Sequence, residues 1–320
     1  MDKLFKHPRF WLFAPFIGLV SMALLALGLW GLAAQRISDE MAASGLSWRH
    51  MTTYGFPARI SFDLDAPLYR NGAMVWQTAR ATATLMPFNR SHAVFDFFGT
   101  HEWRTPNGHM RLAHQGNLMS LVGDRNGILR ASFEAQSPRL SGTFGGQAAA
   151  LTAQQMGLHM RREDDERVDV AVKLKQAQWG RQRGAAGVPV ERVDILANLP
   201  QSTLMRAPAA GDRLRLERLT LKRGDLTMIA RGTARLADNG FVEGKLDVDF
   251  LNRTALLNAL EAFGLTQAAD RQNLSFLFGL GAALGGDTQD RLSLPLVFRA
   301  GRVYLGPLDI AAAPRWRALQ

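Results

Sequence analysis

From Phe10 to Ala34 the chain reads FWLFAPFIGLVSMALLALGLWGLAA, with no charged side chain. An uninterrupted apolar run of that length constrains the fold more than any other feature. At about 1.5 Å per residue it makes a helix of roughly 37 Å, enough to cross the ~30 Å hydrocarbon core of a bilayer with some tilt. A helix buried in a soluble core needs no such length. Lys3, Lys6 and Arg9 precede the run, whereas Arg36 behind it is soon followed by Asp39 and Glu40. The positive-inside bias then predicts a cytoplasmic N-terminus over residues 1–9, with the chain from residue 35 onward on the other side. Trp11 and Trp30 fall near the two ends, where indoles favour the headgroup level, and Pro15 lies in the first turns, where a missing N–H costs least. The competing reading is a cleaved signal peptide, since Gly31-Leu-Ala-Ala34 offers small residues to a protease. An h-region of about 7–15 residues is much shorter than this run, which favours an uncleaved transmembrane helix over residues 10–34.

Most of the 320 residues lie beyond that helix, enough to bury a large core. There is no cysteine, so a lipoprotein anchor and disulfides are both excluded, and stability must come from burial and backbone pairing. The net charge is +10, and the N-terminal flank contributes only Lys3, Lys6 and Arg9 against Asp2, so the outer part is basic too. No basic run interleaved with aromatics, zinc spacing or helix-turn-helix pattern accompanies that charge, and nucleic acid is not an expected partner. Anionic phospholipid suits a basic domain beside a bilayer. The blander reading is scattered arginine that keeps the domain soluble.

Beyond Gly45 the hydrophobic period changes from that of a helix to that of strands. Ile60, Phe62 and Leu64 alternate with polar residues after the turn Tyr54-Gly-Phe-Pro57, and Met74–Leu85 reads as one further strand ended by Pro87. Short runs at 93–98, 110–113, 128–133 and 139–144 are divided by hairpin-type breaks such as Pro106-Asn-Gly108 and Asp124-Arg-Asn-Gly127. Leu151–Met160 suits helix or strand, and a strand is favoured. Val168, Val170, Val172 and Leu174 mark a clear strand, and Gly180–Pro189 is a Gly- and Arg-rich loop that divides a first segment, 35–179, from a second, 190–320. In the second, Leu226–Leu236 returns through Ala237-Asp-Asn-Gly240 into Val242–Phe250. Arg231 and Arg235 face the acids of that return strand across the exposed side, where each pair is worth a few tenths to about 1 kcal/mol. Helices are expected at 252–263, capped by Asn252 or Thr254 and stopped by Gly264, and at about 268–284.

No catalytic signature emerges. His101, His109 and His114 have the wrong spacing for one helical face and lack a nearby cysteine, so they read as ordinary polar residues and no metal site is expected. Glu163-Asp-Asp-Glu166 reads as a solvated turn. There is no Gly-x-Ser-x-Gly, phosphate loop or dinucleotide fingerprint, and neither an enzyme nor a cofactor is expected. What remains are the apolar strand faces. They form either a closed core or an open groove for acyl chains, and the candidate lipid contacts are Leu226, Met228, Leu246 and Val248.

Gly55-Phe-Pro-Ala-Arg59, Leu85-Met-Pro-Phe-Asn-Arg90 followed by Phe95-Asp-Phe97, the block Leu219–Phe250, and the closing stretch from Leu294 through Ala300-Gly301 to Leu308 resemble the bacterial envelope family known as domain of unknown function 2125. The resemblance implies a single-pass inner-membrane protein with its C-terminal domain in the periplasm. More distantly, an anchor followed by a long β-rich region is similar in layout to AsmA-like proteins that are thought to handle phospholipid. The expected architecture is β-rich α+β: the membrane helix, then curved antiparallel sheets with a few covering helices. Two functions follow. One is phospholipid binding or transfer through an apolar sheet face; the other is a non-catalytic structural or assembly role that binds other envelope proteins.

Overall fold

The computed structural model describes residues 8–86, 89–106, 108–124, 127–144, 147–163, 167–180, 188–201, 209–262, 279, 291–306 and 308–313. The apolar run forms helix α1, Pro8–Ala43, whose C-terminal 25 described residues are long and apolar enough to cross a membrane. Its surroundings change along its length. Leu24, Leu25 and Leu29 point into open space, whereas from Trp30 onward one stripe is covered, with Ala34 and Ile37 buried against Ile60, Phe62 and Leu64 of the sheet. The helix therefore has two parts without a break between them: a naked apolar part and about four turns that belong to the β-rich domain.

Every strand joins one antiparallel sheet, and its first half is folded along a line. The chain passes back and forth, and each pass is cut in two near its middle. The first pass gives β1 (Leu46–Ser47) and β2 (His50–Tyr54), and the second β3 (Ile60–Asp65) and β4 (Leu68–Asn71). There follow β5 (Met74–Gln77) with β6 (Arg80–Met86), β7 (Asn89–Phe98) with β8 (His101–Thr105), and β9 (Gly108–Ala113) with β10 (Gly116–Asp124). The last divided passes are β11 (Gly127–Gln136) with β12 (Arg139–Phe144), and β13 (Gln147–Thr152) with β14 (Gln155–Arg162). One wing is ordered β2-β3-β6-β7-β10-β11-β14 and the other β1-β4-β5-β8-β9-β12-β13. Both wings end on β15 (Arg167–Gly180), whose first part pairs with β14 and whose last residues pair with β13.

The corner residues have the backbone such a turn demands. Ala66, Gly99, Ser137 and Gln176 all have positive φ, between +47° and +89°. The corners are also stitched to one another: Ala66 N–H donates to Ala79 O at 2.8 Å, Ser137 N–H to Gln154 O at 2.9 Å and Gln154 N–H to Lys175 O at 2.9 Å. At Gly99 a β-carbon would sit 2.9 Å from that of Ala79, so the crossing strands approach too closely for any side chain there.

Past β15 the meander continues undivided through β16 (Val188–Pro200), β17 (Arg213–Arg223), β18 (Leu226–Leu236), β19 (Val242–Leu251), β20 (Arg291–Arg299), β21 (Arg302–Leu305) and β22 (Leu308–Ala312). β15 and β16 pair along almost their whole length, so the sheet runs on past the glycine-rich loop, of which residues 181–187 lie outside the described residues. Helix α2, Arg253–Ala262, is capped by Asn252, whose Oδ1 accepts from Ala255 N–H at 3.0 Å. All of the helix expected at 268–284 except Gly279, and most of the acidic turn at 163–166, lie outside the described residues. The β-rich class with two described helices matches the expectation. Met74–Leu85 is corrected from one strand to two, β5 and β6, because the chain turns the corner at Thr78 and Ala79.

Register turns the alternation seen in the sequence into a surface. Phe62, Ala83, Phe95, Met119, Phe133, Leu158, Val172, Ile195, Leu219, Ala230, Val248 and Leu294 stand opposite one another strand after strand. At about 4.8 Å per strand this apolar row runs roughly 53 Å. A second row starts at Ile60 and passes through Leu121, Met160 and Leu216 to Leu296 without a polar side chain. A third starts at Leu64 and passes through Phe97, Leu174 and Met228 to Leu292, interrupted only by the polar Asn117, whose side chain accepts from Phe97 N–H.

Candidate functional site

α1 covers the beginning of these rows, and α2 packs with Leu226, Val248 and Phe250 in the cluster at the other end. Immediately past the C-terminus of α1, in the inner angle of the folded sheet, an apolar groove of about 590 Å³ opens. That size falls within the range of small-molecule and acyl-chain sites. One wall comes from Ala81, Phe95, Phe97, Met119, Leu121, Ile128 and Phe133, the other from Leu46, Tyr69, Met74, Trp76 and Trp103; Met41 and Ser44 close the end at α1. Trp76 and Phe97 meet edge to face across the angle, with centroids 5.6 Å apart. The groove exists because the corner swings the aromatic residues of β5 and β8 over those of β7 and β11.

At the foot of the groove sits a polar group in an otherwise apolar place. His101 is 2 % exposed and lies in an aromatic cage, stacked on Trp76 and Trp103 and edge-on to Phe97. Trp76 Nε1–H donates to its Nδ1 at 3.2 Å, while Asn117 Nδ2 lies 2.8 Å from its Nε2 and 2.9 Å from Nε2 of His114. Burial first, and the neighbouring His114 second, push the His101 pKa from the ordinary 6.5 down to about 4, so the ring is neutral near pH 7. Burial also lowers the pKa of His114, with Asp96 opposing.

The three histidines of the sequence are separated by the fold. His101 and His114 approach to 5.1 Å between rings, whereas His109, on the strand paired with that of His101, lies beside Thr143 Oγ1. Among the described residues no group of three histidine or acidic side chains could hold a metal.

The four candidate lipid contacts of the second segment share one face. Leu226, Leu246 and Val248 are buried in the cluster that includes Leu256 and Leu257 of α2, and Met228 packs partly buried against it. The open apolar surface lies in the first segment instead. Sequence reasoning assigned its residues to strands but not to a groove. The available signal was the density of aromatics between Trp76 and Trp103, which includes Phe95, Phe97 and Phe98.

At the far end of the sheet, Arg167, Arg213, Arg215, Arg235 and Arg299 rim an open concavity whose lining also includes Leu214, Val297 and Phe298. Arg215 pairs with Glu217 at 2.8 Å and Arg235 with Glu243 at 2.9 Å, and Arg167 hydrogen-bonds Asn198. Much of this basic character is thereby matched within the sheet.

An N-terminal apolar helix running directly into a large open antiparallel sheet fits the class of membrane-anchored envelope proteins; by length and composition alone the helix would also suit a signal sequence. Within that class the family is defined. Residues 31–314 match the family described as an uncharacterized protein conserved in bacteria (DUF2125), and the chain belongs to it. No curated protein and no solved structure matches the chain, so the similarity to AsmA-like proteins has only its layout in support.

Proposed function

We propose that this is an inner-membrane protein with a periplasmic domain that binds phospholipid by taking its acyl chains into the groove between the two wings. The observation that carries the reading is placement: a large apolar groove opens where α1 ends, at the start of apolar rows that continue across the sheet. Leaving such a surface to water costs about 25 cal/mol per Å², and a chain of methylenes is the natural occupant beside a bilayer. The basic balance of the domain suits anionic headgroups. Retention of the helix is supported by Ala34 and Ile37. Both are buried against the sheet, so a protease cutting at Gly31–Ala34 would cut into packed structure.

Full-length protein purified from membranes should carry phospholipid detectable by mass spectrometry. Ile128→Asp places a charge in the groove at a position 47 % exposed, where water reaches it, and should reduce bound lipid severalfold with little change in the melting temperature. Equal lipid in the parent and this variant rules the groove out. Stable protein partners without lipid would instead favour the assembly role through β2 and β22, each paired on one side only among the described residues. For the topology, a reporter active only in the periplasm and fused after Gln320 should be active, and activity of a cytoplasm-only reporter at that point would reverse the orientation.

A further inference from the structure

The polar group at the foot of the groove contains more hydrogen-bond donors than acceptors. With Trp76 donating to His101 Nδ1, the neutral ring carries its proton on Nε2, which then meets the NH₂ of Asn117 head-on at 2.8 Å. With the proton on Nδ1, the Trp76 N–H is the one opposed. Turning the Asn117 amide over does not help, because its Oδ1 already accepts from Phe97 N–H at 3.1 Å. The second hydrogen of that amide goes to His114 Nε2, which leaves the proton of His114 on Nδ1, a buried atom with no partner. Whichever tautomer is chosen, an N–H lacks an acceptor, and such a buried group is expensive. Trp76 and His101 line the groove, so the missing acceptor can come from there. Asn117 is also the one polar interruption of the three long apolar rows.

We propose that Trp76 and His101 form a docking point for the carbonyl or carboxylate oxygen at the head of an acyl chain, so that the groove fixes the position of a chain and does not merely solvate it. The inference rests on the acyl-chain reading above and adds to it where the oxygen end of the chain sits. The oxygen accepts from Trp76 Nε1–H, which frees His101 Nδ1–H to be a second donor and His101 Nε2 to accept from Asn117; every conflict around His101 is then resolved. The chain beyond the oxygen lies against Phe95, Phe97, Met119 and Phe133. A free fatty acid and a phospholipid ester present this same oxygen.

Delipidated full-length protein, held in amphipol, tests this with palmitate and with phosphatidylethanolamine, each carrying ¹³C at the acyl carbonyl, and with hexadecane as a chain that has no oxygen. The bound carbonyl resonance of one labelled probe should move in the direction of stronger hydrogen bonding, and the probe that shows the shift identifies the source. Trp76→Phe removes the N–H and keeps a smaller ring; it should weaken that probe by about 3- to 10-fold more than it weakens hexadecane, whose own loss reports the ring contact alone. A labelled probe that binds without a carbonyl shift, or a variant that weakens hexadecane as much as palmitate, overturns the docking point and leaves the acyl-chain groove standing. If the parent binds none of the three probes, both readings fail. A resident water serving as the acceptor would leave the labelled probe weakened by Trp76→Phe no more than hexadecane is, and it too overturns the proposal.

Discussion

His101 shows how one burial decision becomes a property measurable in solution. Its folded-state pKa, about 4, lies below the 6.5 it has when exposed. Above pH 6.5 both folded and unfolded chains hold it neutral, and stability does not depend on it. As pH falls from 6.5 toward 4 the unfolded chain takes up a proton that the folded one refuses, so stability declines across that window and levels off below it. His114 works in the same direction, less strongly because Asp96 opposes the shift. Asp169, held low first by its hydrogen bond from Asn198, and Asp249, held low first by Ser293, lose their contribution only at more acid pH. The urea midpoint should therefore drop between pH 7 and 4.5, and His101→Phe should flatten that drop; an unchanged slope would show that His101 is reached by solvent.

At the level of elements, the strand face under α2 behaves as core. Leu246 is 8 % exposed between Gly232 and Leu296, so Leu246→Asp buries an unpaired carboxylate at a cost of several kcal/mol, comparable with the stability of a whole domain. Loss of the cooperative thermal transition is the expected outcome, and a variant that melts like its parent would show that water has access to this face. This hairpin was plain in the sequence: two alternating runs, a turn at 237–240, and arginines facing acids, of which Arg235 and Glu243 do pair at 2.9 Å. The corners were not. Met74 and Trp76 point into the groove from even positions, whereas Ala81 and Leu85 face inward from odd ones, so the alternation slips by one residue at Thr78 and Ala79. A pattern that alternates well on both sides of such a slip reads as one strand. The positive φ at Ala66, Ser137 and Gln176, imposed on residues with no special preference for it, leaves no mark in composition. The groove is made by those corners and was illegible for the same reason, although the aromatic residues that line it were in view.

For the whole molecule, the decisive feature is that α1 passes from its naked apolar part to its packed part without a joint. Trp30, whose indole N–H donates to Arg59 O at 2.9 Å, marks the change. From there to Ser44, where the groove begins, the helix climbs about 21 Å. Once anchored, such a helix is a lever: transmembrane helices lean further when the bilayer is thinner than their apolar length, and a lean of the helix is a lean of the sheet bolted to it. Membrane thickness would thus be converted into the angle and height at which the mouth of the groove stands above the headgroups.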